Sequence, residues 1–239
     1  MKSLVGERRA VAAALLAFYG FLYFLVSQVS PPEIKALLLA HAGLYGLAFF
    51  GLVAGWFWGR WYASGMAMYG LVTGVFGMFQ MGPEPILVFI AVTHGVMAIV
   101  LVGEHMAAGF DGRPEWRARF HLDEPAVERL GKSVTRAAMS LPFLLAWALA
   151  PKNPGQGALL ALAPLALGAA GLWALVRMRT WGVLALAGAG VGAAGIAATT
   201  PGPTPLVALV AAGLMALAVA PFGAPIVRHL RGHLGGAAR

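Results

Sequence analysis

The stretch from Thr180 to Val227, TWGVLALAGAGVGAAGIAATTPGPTPLVALVAAGLMALAVAPFGAPIV, contains no acidic or basic residue. It is about twice as long as the roughly 20 apolar residues a helix needs to cross a hydrocarbon core. Thr199, Thr200, Pro201, Gly202, Pro203, Thr204 and Pro205 interrupt its middle, because clustered prolines remove helix hydrogen bonds and the glycine between them favours a turn. The stretch therefore reads as two membrane-spanning helices joined by a short loop. Further uncharged runs cover residues 10–32, 36–59, 61–83, 85–103, 137–151 and 153–176.

Composition agrees with that reading. The chain is 60% hydrophobic and 11% charged, against about 45–50% and about 25% for an average soluble domain. The fold class expected is an all-α polytopic membrane protein of about eight transmembrane helices, near residues 9–29, 34–58, 60–81, 84–108, 133–150, 156–177, 180–199 and 204–228. The short fifth span is tolerable because Arg136 can snorkel its head to the interface while its stem stays in lipid. An apolar run after Lys2, Arg8 and Arg9 could imitate a secretory leader. Its length and the lack of a clear small-x-small cleavage site make it read as a span.

The formal net charge of +8 would suggest a nucleic-acid partner in a soluble protein, so the placement of the charges decides. With the N-terminus in the cytoplasm, the inner segments collect Lys2, Arg8, Arg9, Arg60, Arg113, Arg117, Arg119, Arg129, Lys132, Arg136, Arg177, Arg179, Arg228, Arg231 and Arg239. The outer ones keep only Lys35 and Lys152. This is the positive-inside bias of a protein of the cytoplasmic (inner) membrane with both termini inside. The basic charge reports topology and contact with the lipid bilayer, not nucleic acid.

A shift of 120 residues aligns the second half of the chain on the first. Pro83, Pro85 and Leu87 fall on Pro203, Pro205 and Val207, Trp61 on Trp181, Gly51 and Leu52 on Gly171 and Leu172, and Arg9 on Arg129. The expected organisation is a first four-helix repeat over residues 1–110, a cytoplasmic amphipathic connector over 111–132 and a second four-helix repeat over 133–239. Both repeats start on the same side, so they would be parallel and related by an axis along the membrane normal. In the connector, Asp123 or a neighbour is placed to cap a short surface helix with Pro125 at an early position, and Trp116 and Phe120 suit the interface. Small residues at four-residue spacing, Gly51 with Gly55, Gly70 with Gly74 and Gly188 with Gly192, read as close helix packing.

The halves differ in polarity. The first keeps Tyr19, Tyr23, His41, Tyr45, Tyr69, Gln80, His94, Glu104 and His105, whereas the second is chiefly Ala, Leu, Gly and Val. Polar groups are costly in lipid, so a site belongs in the first half or where it meets the second. Candidate ligand-binding residues are His41, Tyr45, Gln80, His94, Glu104 and His105. His41 lies about 9 Å and His94 about 13 Å inside the outer ends of their spans at 1.5 Å per residue. Eleven residues separate His94 from His105, which on a continuous helix puts both on one face.

There is no cysteine, which excludes disulfides, thiolate metal sites and cysteine nucleophiles. Nor is there a P-loop, a zinc-protease helix, a nucleophile elbow or an Asp-rich magnesium motif, and no lysine sits mid-span for a retinal Schiff base. Without a nominated acid, base and nucleophile, an enzyme is disfavoured. The leading reading is transport, or binding of a small-molecule or lipid ligand, through the polar site. Alternatives are an electron-transfer protein that holds b-type haem or a metal through His41 and His94, and a scaffold subunit with membrane-complex partners. The topology predicts that reporter fusions after residues 30, 83, 152 and 202 are external and those after 59, 120, 178 and 235 cytoplasmic. One reversed pair contradicts it.

Overall fold

The computed structural model describes residues 4–149, 158–199 and 205–236. These residues form helices and no strand. The first half contains α1 (Leu4–Val29), α2 (Pro32–Val53), α3 (Gly59–Met81) and α4 (Pro85–Leu101). Two short helices follow, α5 (Glu104–Ala108) and α6 (Pro114–Phe120), and then α7 (Glu124–Leu149), α8 (Ala158–Val176), α9 (Trp181–Thr199) and α10 (Pro205–Gly236). Prolines open α2, α4 and α6, where the missing N–H is one the first turn does not use. Gly82 stops α3 at a φ of 87° while its N–H closes on the Met78 carbonyl.

Among the described residues four helices are long and apolar enough to cross a membrane: Val5–Val29, Pro32–Val53, Trp181–Thr199 and Leu206–Pro225. Pro85–Leu101 and Ala161–Val176 are apolar but shorter. Long apolar side chains such as Phe21, Phe50, Phe79, Ile99, Leu184 and Val191 face outward, as lipid-facing surfaces do.

Each half closes on itself. α1 packs on α2, α2 on α3, α3 on α4 and α4 back on α1, and α7, α8, α9 and α10 form a second ring in the same order. The rings join where α7 lies against α3 and α2. That seam is close because both helices present glycine. A Cβ on Gly65 would press into the backbone of Thr135 and the Ala138 side chain, and one on Gly131 would meet the Trp61 indole at 2.8 Å.

Arginines tie the helix ends together at one end of the first ring. Arg8 of α1 donates to the carbonyls of Ile99, Val100 and Val102 at the end of α4, and Arg9 donates to the Val53 carbonyl at the end of α2. Arg60, at the start of α3, forms a two-pronged pair with Asp111 at 2.9 and 2.7 Å and reaches the Leu101 carbonyl at 3.4 Å. Cations there satisfy orphan carbonyls and oppose the negative pole of each helix. The starts of α1 and α3 thus meet the finishes of α2 and α4, so neighbours run in opposite directions.

Several expected boundaries need correction. α2 stops at Val53 rather than 58, because residues 54–58 form a turn with Gly55 at a φ of 68°. Gly55 is therefore a turn residue and not half of a helix-packing pair with Gly51. The fourth helix does not run to 108: it ends at Leu101, and Gly103, at a φ of 114°, redirects the chain into α5. Asp123 does cap a helix, accepting from the Ala126 N–H at 2.8 Å. That helix is α7, and it passes without a break through residues 132 and 133. The segments around residues 152 and 202, expected to be external, lie outside the described residues.

Arg136 does more than reach for the interface. Its Nη1 donates to the Leu217 carbonyl of α10 at 2.7 Å. In an unbroken helix that carbonyl would accept from residue 221, but residue 221 is proline and has no N–H. The guanidinium supplies the missing donor. Arg136→Met is expected to cost about 1–3 kcal/mol, the usual penalty for a polar group left unpaired out of reach of water, and to cost much less in a Pro221→Ala background. A double-mutant cycle in detergent unfolding measures this, and zero coupling contradicts it.

Candidate functional site

α2 sets His41 and Tyr45 one turn apart on the same face, and both are buried. His41 Nδ1 lies 2.9 Å from the Leu37 carbonyl one turn earlier. A carbonyl only accepts, so Nδ1 carries the proton, and in the neutral ring Nε2 then presents a lone pair. That lone pair is 3.0 Å from the Tyr69 hydroxyl of α3, which therefore donates to it.

α4 repeats the same unit. His94 Nδ1 donates to the Ile90 carbonyl at 2.8 Å, and its Nε2 accepts from the Tyr45 hydroxyl at 2.8 Å. Beside it, the Thr93 hydroxyl donates to the Phe89 carbonyl at 2.7 Å and receives the Tyr19 hydroxyl at 2.6 Å. Each imidazole is thus a neutral bridge between its own helix and a tyrosine of another.

The rings are continuous. Tyr23 stacks on His41 at 5.1 Å and on Tyr45 at 5.6 Å, while Tyr19 stacks on Tyr45 at 5.5 Å and leans on His94 at 4.2 Å. Tyr69 carries the cluster to the seam between the halves, its edge against Phe143 of α7 at 4.9 Å. Gly70 makes room for it all, because a Cβ there would collide with the His94 ring. The adjacent turn of α3 closes equally tightly, with the Cβ position of Gly74 2.8 Å from the Ala91 nitrogen.

Of the residues expected at a site, the structure brings together His41, Tyr45 and His94. It does not bring in Gln80, exposed near the end of α3, or Glu104 and His105, exposed on α5. The expectation that His105 shares a helical face with His94 is corrected by the break at Val102 and Gly103, which ends the helix between them. Thr93 was not legible as a partner, since a lone threonine in an apolar helix commonly bonds its own backbone. The Arg60–Asp111 pair was also missed: its members lie 51 residues apart and follow no periodicity.

Ligation of haem or a metal by His41 or His94 requires each Nε2 to release its tyrosine. Among the described residues no group of three or more His, Asp or Glu could hold a metal ion. The polar inventory of the second half is slight. Its buried polar side chains among the described residues are Ser133 and Ser140, of which Ser140 donates to the Ala211 carbonyl at 2.9 Å. Ser133 Oγ and the Tyr62 hydroxyl of α3 are buried without a hydrogen-bond partner among the described residues.

No protein-family model, curated protein or solved structure matches the chain. The tyrosine-to-histidine bonds can be tested directly. Tyr45→Phe and Tyr69→Phe each leave a buried Nε2 without its donor and should cost about 1–3 kcal/mol. Tyr23→Phe, at a ring that stacks without a hydrogen bond among the described residues, should be nearly neutral. Equal losses for all three in denaturant titrations would show that ring packing, not hydrogen bonding, holds the cluster.

Proposed function

We propose that the chain is a polytopic protein of the cytoplasmic membrane that crosses it about eight times with both termini inside. In this reading it binds or transports a small molecule or lipid at the His41–Tyr45–His94 cluster, without catalysing a reaction. The observation that carries this is the asymmetry between the rings. The second half holds its helices with small residues, as at Gly171 against Gly182, and small residues are all that helix association in lipid requires. The first half adds two imidazoles, each of which must be satisfied internally at a cost that packing does not explain.

The chemistry defines the ligand class. Each Nε2 takes a donated hydrogen bond and each tyrosine gives one, so a neutral molecule with hydroxyl or carbonyl groups can replace either partner. The surrounding rings favour an apolar or aromatic body. The seam at Tyr69 and Phe143 would let occupancy be felt by the second half.

The arginines on the ends of α2 and α4 support a cytoplasmic placement of that end. A parallel duplication draws support from Gly51 and Gly171, 120 residues apart, since each packs on a glycine opening the following helix, Gly59 and Gly182. A two-fold relation between the halves would pair α9 with α1 as α7 pairs with α3, and among the described residues α9 and α1 make no extensive contact to match the α3–α7 seam. The duplicated halves would therefore sit side by side in the same sense.

Thermal unfolding of protein purified in mild detergent, with a short-chain quinone, a diacylglycerol and a sterol as probes, tests the function. One of these should raise the wild-type midpoint by several degrees and fail to do so in His94→Gln. If no probe acts, or the variant responds equally, the binding reading is lost. A Soret band in the purified protein would replace it with electron transfer.

A further inference from the structure

At the arginine-rich end of the first ring, two guanidinium groups converge with no acidic partner among the described residues. We propose that Arg9 and Arg113 bind the phosphate group of an anionic lipid in the crook of the α2–α3 turn. This rests on the bilayer placement proposed above and not on the His–Tyr cluster. Gly55 forms the crook with its φ of 68°. The point where a Cβ on Gly55 would sit is 3.4 Å from Nη2 of Arg113 and 3.5 Å from Nη2 of Arg9. Both heads therefore lie against the same point of the turn, close enough together for one phosphate group to reach both.

Among the described residues no acidic side chain pairs with either arginine. The ion pairs among the described residues are Arg60 with Asp111, Arg117 with Glu124 and Lys132 with Glu128. Arg9 is fixed by its bond to the Val53 carbonyl and by the Phe110 ring, 5.3 Å from its guanidinium carbon. A guanidinium has five N–H donors, so most of those on Arg9 remain unspent. Arg113 makes no side-chain hydrogen bond or ion pair among the described residues. Two like charges held side by side by the fold repel unless an anion joins them, and forked guanidinium donors match phosphate oxygens.

A lipid is favoured over free phosphate by what borders the crook. Phe50 and Val53 of the last turn of α2, and Trp56 in the turn itself, are exposed. They offer an apolar track for acyl chains directly beside the cationic pair. An indole next to arginine is also the pairing expected at the headgroup level of a membrane.

The test uses the full chain in nanodiscs of phosphatidylcholine, with and without phosphatidylglycerol, read by thermal unfolding. Phosphatidylglycerol should raise the midpoint of the wild type, and Arg113→Gln should lose most of that gain. In phosphatidylcholine alone Arg113→Gln should melt like wild type, since the native side chain makes no hydrogen bond or ion pair among the described residues. Arg119→Gln is the control for general charge, because Arg119 stacks on Trp116 and Phe120 instead, and it should keep the gain. No gain in the wild type, or equal losses in the two variants, overturns the site. Inorganic phosphate that reproduces the full gain in phosphatidylcholine overturns the lipid assignment. A chain that fails to enter nanodiscs contradicts the bilayer placement itself.

Discussion

In hydrocarbon a polar group finds no water, so each donor and acceptor must be matched inside the protein or carry the whole cost of its desolvation. The helical backbone meets this demand along its length but leaves unpaired carbonyls at each C-terminus and wherever proline removes a donor. Much of the structure follows from where those residual groups are matched. Arg8 and Arg9 close the ends of α4 and α2, and Arg136 closes the gap that Pro221 opens in α10. Far apart in sequence, these contacts share one form: a guanidinium brought by one helix to a carbonyl stranded on another.

The two histidines answer the same demand with different chemistry. Each spends its one proton on a carbonyl of its own helix and offers its lone pair to a tyrosine from a neighbour. This couples α2 to α3 and α4 to α2 through directional bonds, which apolar packing cannot supply. It also leaves both nitrogens of each imidazole engaged.

The sequence revealed the helical class and the burden of polar groups in the first half, because hydropathy is a sum over many residues and polar residues in apolar runs are conspicuous. It named His41, Tyr45 and His94 together with Gln80, Glu104 and His105, and nothing in hydropathy told the buried three from the exposed three. It could not tell which nitrogen met which hydroxyl, since that depends on helix rotation, to which hydropathy is blind. The continuity assumed from His94 to His105 failed at Gly103, where a single positive φ turns the chain. Gly55 deceived in the same way: a small residue at four-residue spacing reads as packing, and only the backbone shows a turn. Arg136 was read as a snorkelling side chain because its partner, a carbonyl freed by Pro221, lies 81 residues away.

The most direct test of the cluster is the ring-nitrogen NMR of His41 and His94 in protein labelled with 15N-histidine and held in lipid. Single His→Gln variants would assign the two signals. The hydrogen-bond pattern predicts that both rings are neutral, with the proton on Nδ1 and with Nε2 unprotonated and shifted by the donated tyrosine bond. A proton on Nε2 of either ring, or signals that follow the buffer pH as an exposed imidazole does, would contradict it.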